Sequence, residues 1–105
     1  MGRWHRVASV ADLRDNEGRP ADLDGTPIAL YRIDGNIHAI DDTCTHQLAT
    51  LSEGFVESGT IECPLHAAQF EIATGKCLGG PAMTDLRAYP VRIEGDDIYV
   101  STLDA

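Results

Sequence analysis

The residues best equipped for chemistry in this 105-residue chain are two thiols and two imidazoles in matched pairs: Cys44-Thr45-His46, then sixteen residues, then Cys63-Pro64-Leu65-His66. Short spacing within each pair lets one loop present a sulfur and a ring nitrogen together, and the separation lets a second loop approach from the opposite side. Four nitrogen and sulfur donors suit either zinc or an iron–sulfur cluster. Structural zinc sites most often pair Cys with Cys and His with His, whereas each pair here holds one of each, Cys first. Mixed pairs suit two irons better, one iron taking both thiolates and the other both imidazoles. The third cysteine, Cys77, lies outside both pairs and is read as packing, since a free thiol commonly behaves as a small hydrophobe. His5 and His38 have no ligand partner at useful spacing and are read as framework or surface residues.

These donors need a rigid support, and the pattern of the chain supplies strands. No stretch of ten or more residues sustains helical apolar spacing, and glycine or proline interrupts the chain repeatedly. Short β-branched or aromatic runs predict strands at Trp4–Ala8, Pro27–Ile33, Asn36–Asp41, Thr60–Cys63, Gln69–Ile72, Leu86–Ile93 and Asp97–Thr102. Asp34-Gly35 and Glu94-Gly95-Asp96 predict hairpin turns, with glycine supplying the positive φ that tight turns require. Ser9 is expected to cap a single helical turn over Ser9–Leu13. Between Asp42 and Pro81 the alternation gives way to loops that carry both Cys/His pairs, so this stretch reads as a site inserted between framework hairpins. The expected fold is a single all-β domain.

Composition narrows the partners. Seventeen acidic against eight basic side chains give a formal charge of −9, which repels nucleic acid and anionic lipid and favours a positively charged protein surface. No run of about 18 apolar residues is present and the N-terminus lacks the apolar core of a signal peptide, so the expectation is a soluble, cytoplasmic protein with no membrane contact. Three cysteines in a reducing compartment do not make a disulfide framework.

The paired motif resembles that of the Rieske family, Cys-x-His followed by Cys-x-x-His. The resemblance extends to Ala49–Gly54, Ile61–His66, Phe70–Lys76 and Tyr89–Gly95, which look like the small ferredoxin components of bacterial aromatic-ring-hydroxylating dioxygenase systems. It implies one Rieske [2Fe–2S] cluster, with Cys44 and Cys63 on the inner iron and His46 and His66 on the outer, more exposed one. It also implies an antiparallel β-sandwich framework, residues 1–41 and 82–105, around a cluster-binding subdomain at about 42–81. Gln47 stands where the family usually has Gly, and Leu48 where a polar residue is common; both would lie beside the outer histidine. Gly79-Gly80-Pro81 is read as a loop covering the cluster, with Pro81 and Leu65 near the electron port.

High-potential members carry an extra disulfide and two hydroxyl donors to the cluster sulfurs. Ala49 and Leu65 match the disulfide positions, and Ala68 and Phe70 match the donors, so this chain has neither device. Without those donors the reduced state is less stabilised, and the expected potential lies near the low end of the Rieske range, about −150 mV. The implied function is a monomeric shuttle, not an enzyme, that carries single electrons from an NADH-dependent flavoprotein reductase to the terminal oxygenase of an aromatic-ring dioxygenase. The chain has no dinucleotide fingerprint and no 2-His-1-carboxylate signature, so hydride handling and oxygen activation are assigned to partners. The competing readings are a Rieske subunit of another oxidoreductase such as a nitrite reductase, a Rieske domain cut from an oxygenase, and a structural zinc module.

Overall fold

A computed structural model describes residues 4–43, 50–63, 68–79 and 85–102, and these described residues form eleven strands. They are β1 (Trp4–Ser9), β2 (Gly18–Leu23), β3 (Thr26–Ile33), β4 (Asn36–Asp41), β5 (Phe55–Glu57), β6 (Thr60–Glu62), β7 (Gln69–Glu71), β8 (Cys77–Gly79), β9 (Ala88–Tyr89), β10 (Val91–Glu94) and β11 (Asp97–Ser101). Two 3₁₀ turns, Val10–Asp12 and Leu51–Glu53, are the only helical turns among the described residues. Every strand pairing is antiparallel, in sheets ordered β1-β11-β10, β2-β3-β4-β9 and β5-β6-β7-β8. No helix among the described residues is long and apolar enough to cross a membrane.

The second sheet is buried on both faces, and β3 shows why. Successive side chains of a strand point to opposite faces, so a strand covered on both sides reads as an unbroken apolar run. Ile28-Ala29-Leu30-Tyr31 is such a run, and all four residues are fully buried. Ile28 and Leu30 face the first sheet and pack with Ile98 and Val100. Ala29 and Tyr31 face the third sheet and pack with Leu51, Ile61 and Phe70. Each large side chain so buried contributes about 1.5–3 kcal/mol. The third sheet, close to both Cys/His motifs in sequence, therefore rests on a wall that the framework builds.

The expected strands fall within a residue or two of the observed ones, except at 86–93. There the expected single strand breaks at Pro90, which has no N–H to give a ladder. Tyr89 pairs with Ala39 of the second sheet, while Val91 pairs with Val100 of the first, so Pro90 is the corner where the chain changes sheets. Three strands were not expected at all. β2 contains Pro20 and has no β-branched residue; it survives because it lies at a sheet edge, where proline is tolerated. β5 and β8 are three-residue edge strands of the third sheet. Asp34-Gly35 turns as expected, with φ of 51° and 82°, and Asp24-Gly25 and Ser58-Gly59 make the same kind of two-residue turn. The turn after β1 is 3₁₀ with Ser9 at its N-cap, as expected; Asp12 Oδ2 accepts from the Ser9 N–H at 3.1 Å, and the Ser9 hydroxyl donates to the Asp96 carbonyl at 3.2 Å.

Candidate metal centre

Of the four proposed ligands, Cys63 is among the described residues; Cys44, His46 and His66 lie outside them, as do Gln47, Leu48, Ala49, Leu65 and Pro81. Cys63 follows β6 directly and is 2% exposed, and Ala68 and Phe70 are fully buried beside it in one core. The flanks of these segments carry the geometry.

Segment 64–67 is closed mainly by strand pairing, with one long side-chain bond across it, from Gln69 Nε2 to Glu62 Oε1 at 3.4 Å. Glu62 faces Gln69 in the β6-β7 ladder, and the Cys63 N–H donates to the Ala68 carbonyl at 2.7 Å. Segment 44–49 is closed by side chains as well as backbone. Thr43 and Thr50 form an isolated antiparallel bridge, and the Leu51 N–H donates to the Asp42 carbonyl at 2.7 Å. Asp42 then turns its carboxylate onto Ser52, accepting from the backbone N–H at 2.7 Å and from the hydroxyl at 3.1 Å. Behind them the Tyr31 hydroxyl donates to the Leu51 carbonyl at 3.2 Å, a buried bond between the framework and this neck. A third segment, 80–84, is held where Asp85 Oδ1 accepts from the Cys77 N–H at 2.8 Å and the Leu86 N–H donates to the Gly75 carbonyl at 2.7 Å.

All three necks stand on one hydrophobic core. Leu51 from the first, Cys63, Ala68 and Phe70 from the second, and Leu86 from the third belong to the same buried cluster, with Cys77 half-buried against it. The assignment of Cys77 to packing agrees with this place. Two glycines make the fit possible. At Gly54 a Cβ would come within 2.1 Å of the Glu62 carbonyl oxygen, so the first neck passes against the strand that leads into Cys63. Gly75 has φ of 77°, and a Cβ there would meet the Leu86 carbonyl oxygen at 2.4 Å.

The electrostatics fit a thiolate–metal site. Cys63 sits among aliphatic and aromatic side chains, where a bare thiolate is disfavoured, and ligation by a cation is what deprotonates a thiol outright. Ala68 and Phe70 carry no hydroxyl, so these two positions offer no side-chain donor to a sulfur. Burial pushes the Asp42 carboxyl up from its ordinary range, an effect partly offset by the two hydrogen bonds from Ser52. Burial likewise pushes the Tyr31 phenol up, with the charge of Asp42 adding to it. Asp41, beside Asp42, anchors the returning chain: its Oδ1 accepts from the Tyr89 hydroxyl at 2.5 Å and its Oδ2 from the Arg87 N–H at 3.0 Å.

His5 and His38 sit on β1 and β4 of the framework, as expected. His5 Nε2 is buried without a hydrogen-bond partner among the described residues. Asp42, Ser52 and Tyr31 carry no local sequence signal, because their roles come from contacts between residues ten to twenty positions apart.

Comparison with known proteins points the same way as this donor set. The family model described as the Rieske [2Fe–2S] domain matches residues 3–90. The 3-phenylpropionate/cinnamic acid dioxygenase ferredoxin subunit of Escherichia coli (strain K12) is 46% identical over 98 residues, 91% of this chain and 91% of that protein. The ferredoxin component of the naphthalene 1,2-dioxygenase/salicylate 5-hydroxylase systems of a Ralstonia species is 42% identical over 87% of this chain and 88% of that one. Among solved structures, a chain from the complex of reduced oxygenase and oxidized ferredoxin in carbazole 1,9a-dioxygenase superposes with a TM-score of 0.89 at 32% identity, covering 97% of this chain and 95% of that chain.

Proposed function

Because this chain belongs to the Rieske [2Fe–2S] family and is a ferredoxin of the kind that serves aromatic-ring dioxygenases, we propose that it takes single electrons from an NADH-dependent flavoprotein reductase and hands them to an oxygenase component. The observation that carries the reading is the convergence of both motif-bearing necks on one core, with the Cys63 thiol buried in it. Cys44 and Cys63 would hold the inner iron, and His46 and His66 the outer one. When bound, the cluster accepts and releases one electron at a time at a potential set by its ligands and by hydrogen bonds to its sulfurs.

The chain's own residues do the rest. The apolar wall of Leu51, Ile61, Ala68 and Phe70 keeps water from Cys63, and the Asp42–Ser52 bonds hold the first neck in register with the second. Gln47, Leu48, Leu65 and Pro81 are assigned to the rim of the electron port. The same reading divides the chain into a framework, 1–41 and 82–105, and a cluster-binding part at about 42–81. In support, Asp41 pins the returning strand while Asp42 pins the first neck. The protein acts as a monomer, since a shuttle must part from each partner and such interfaces are small, below about 1,200 Å².

Reconstitution tests the reading. With reductase, oxygenase and NADH present, substrate turnover should require this protein, and the purified, reduced protein should hold one electron per chain with the low average g of a Rieske cluster in its EPR spectrum. Turnover that proceeds equally without the protein would overturn the assignment.

A further inference from the structure

We propose that the outer face of the third sheet, centred on Phe55, is a docking surface for the oxygenase component, which would meet it with an apolar socket set in a basic rim. The proposal rests on the shuttle reading above but concerns a surface that reading does not use. Cross-strand partners share a face of a sheet, as do residues two apart. Phe55, Glu62 and Gln69 form one row across β5, β6 and β7, and Glu57, Thr60 and Glu71 form the next. The opposite face gives Val56, Ile61 and Phe70 to the core.

Phe55 is 74% exposed, against 50% or less for the other exposed large apolar side chains, Trp4, Leu78 and Ile93. It borders a recess of about 440 Å³ that Glu57, Thr60, Glu62 and Gln69 also line. Burial of the ring in a partner would recover the hydrophobic free energy it forgoes in water, and aromatic anchors of this kind dominate binding at protein interfaces.

Charge selects the occupant. Among the described residues Glu57, Glu62 and Glu71 have no ion pair; Glu62 accepts from the Gln69 amide at 3.4 Å and Glu71 from the Thr74 hydroxyl at 2.6 Å. A second copy of this chain would set glutamates against glutamates across a two-fold axis, at a formal charge of −9 per molecule. A partner with lysine or arginine around an apolar socket meets both features. The face also runs to the site: Glu62 directly precedes Cys63 and Gln69 directly follows Ala68, so a protein resting on it abuts the neck of the second ligand segment.

The experiment is stopped-flow oxidation of the pre-reduced protein by the oxygenase component of the Escherichia coli 3-phenylpropionate/cinnamic acid dioxygenase system, over a range of salt. F55A should lower the second-order rate constant about tenfold, with reduction potential and visible spectrum unchanged, because the ring supports neither core nor cluster. E57Q/E62Q should flatten the salt dependence, and I93S, on the first sheet, should behave as wild type. F55A matching wild type, or I93S losing as much as F55A, would overturn the docking face alone. A loss confined to electron uptake from the reductase would overturn the choice of partner. A wild-type protein that fails to reduce the oxygenase would overturn the shuttle reading, and the docking face with it.

Discussion

The necks of segments 44–49 and 64–67 close by different chemistry, although each leads to one Cys/His pair. The second neck is a hairpin ladder whose last bond, Cys63 N–H to the Ala68 carbonyl, uses backbone alone. The first relies on a carboxylate, Asp42, that is 5% exposed and is spent on Ser52. A backbone-closed neck keeps its bonds when its side chains are replaced, whereas one closed by a buried carboxylate fails when that group is removed. The first neck is thus the point at which one substitution should loosen one ligand pair and spare the other.

The severest test lies where the two necks touch. G54A would drive a Cβ against the Glu62 carbonyl and should cost about 3 kcal/mol, read as a lower thermal midpoint together with lost iron. A variant of normal stability would show that the two necks can part without penalty. Next comes D42A, which strands the Ser52 N–H and hydroxyl and should cost about 2 kcal/mol. D42N keeps one acceptor and should cost less. The comparison breaks if D42A retains iron and stability as wild type does, for then the backbone bonds at Thr43–Thr50 and from Leu51 to the Asp42 carbonyl close the first neck without the carboxylate.

On the second side, substitutions should change electronics and leave closure intact. F70Y would add a hydroxyl at a position that resemblance assigns to a sulfur donor, and a charge-assisted bond there should raise the midpoint by about 60 mV, measured by protein-film voltammetry. The starting value is expected near −150 mV, and a wild-type midpoint above about +100 mV would refute the account of the missing donors.

The smallest effect separates Asp41 from Asp42. Tyr89 is pushed up to about 12, first by burial and then by its bond to Asp41. A raised phenol favours the folded state fully below pH 10, its ordinary value, and that contribution is lost as pH rises through about 12. Y89F should therefore flatten the alkaline fall in stability over that window by about 1 kcal/mol, seen in melts at stepped pH. An unchanged pH profile would mean that the Tyr89–Asp41 bond contributes nothing to anchoring the return strand.

Much of the framework is legible because its signals are local. Asn36–Asp41 was expected to the residue, and Asp34-Gly35 marks its turn by a conformational need only a few residue types meet. β2 was illegible because Pro20 and Gly18 argue against a strand, and only its place at a sheet edge removes the objection. β5 and β8 are too short to show a period. At 86–93, local pattern gave one strand, where the change of partner at Pro90 makes two.

The sequence by itself determined the all-β class, the turns at Asp34-Gly35 and Gly95 and the acidic charge, since each follows from residue type or from spacing within a few residues. Tertiary structure decided which face of each strand is covered. Alternation puts Phe55 and Val56 on opposite sides of the third sheet but does not say which side meets the framework. It also decided that Asp42 meets Ser52 and that Leu51, Cys63 and Leu86 share one core, because contacts between distant residues exist only once the sheets have packed.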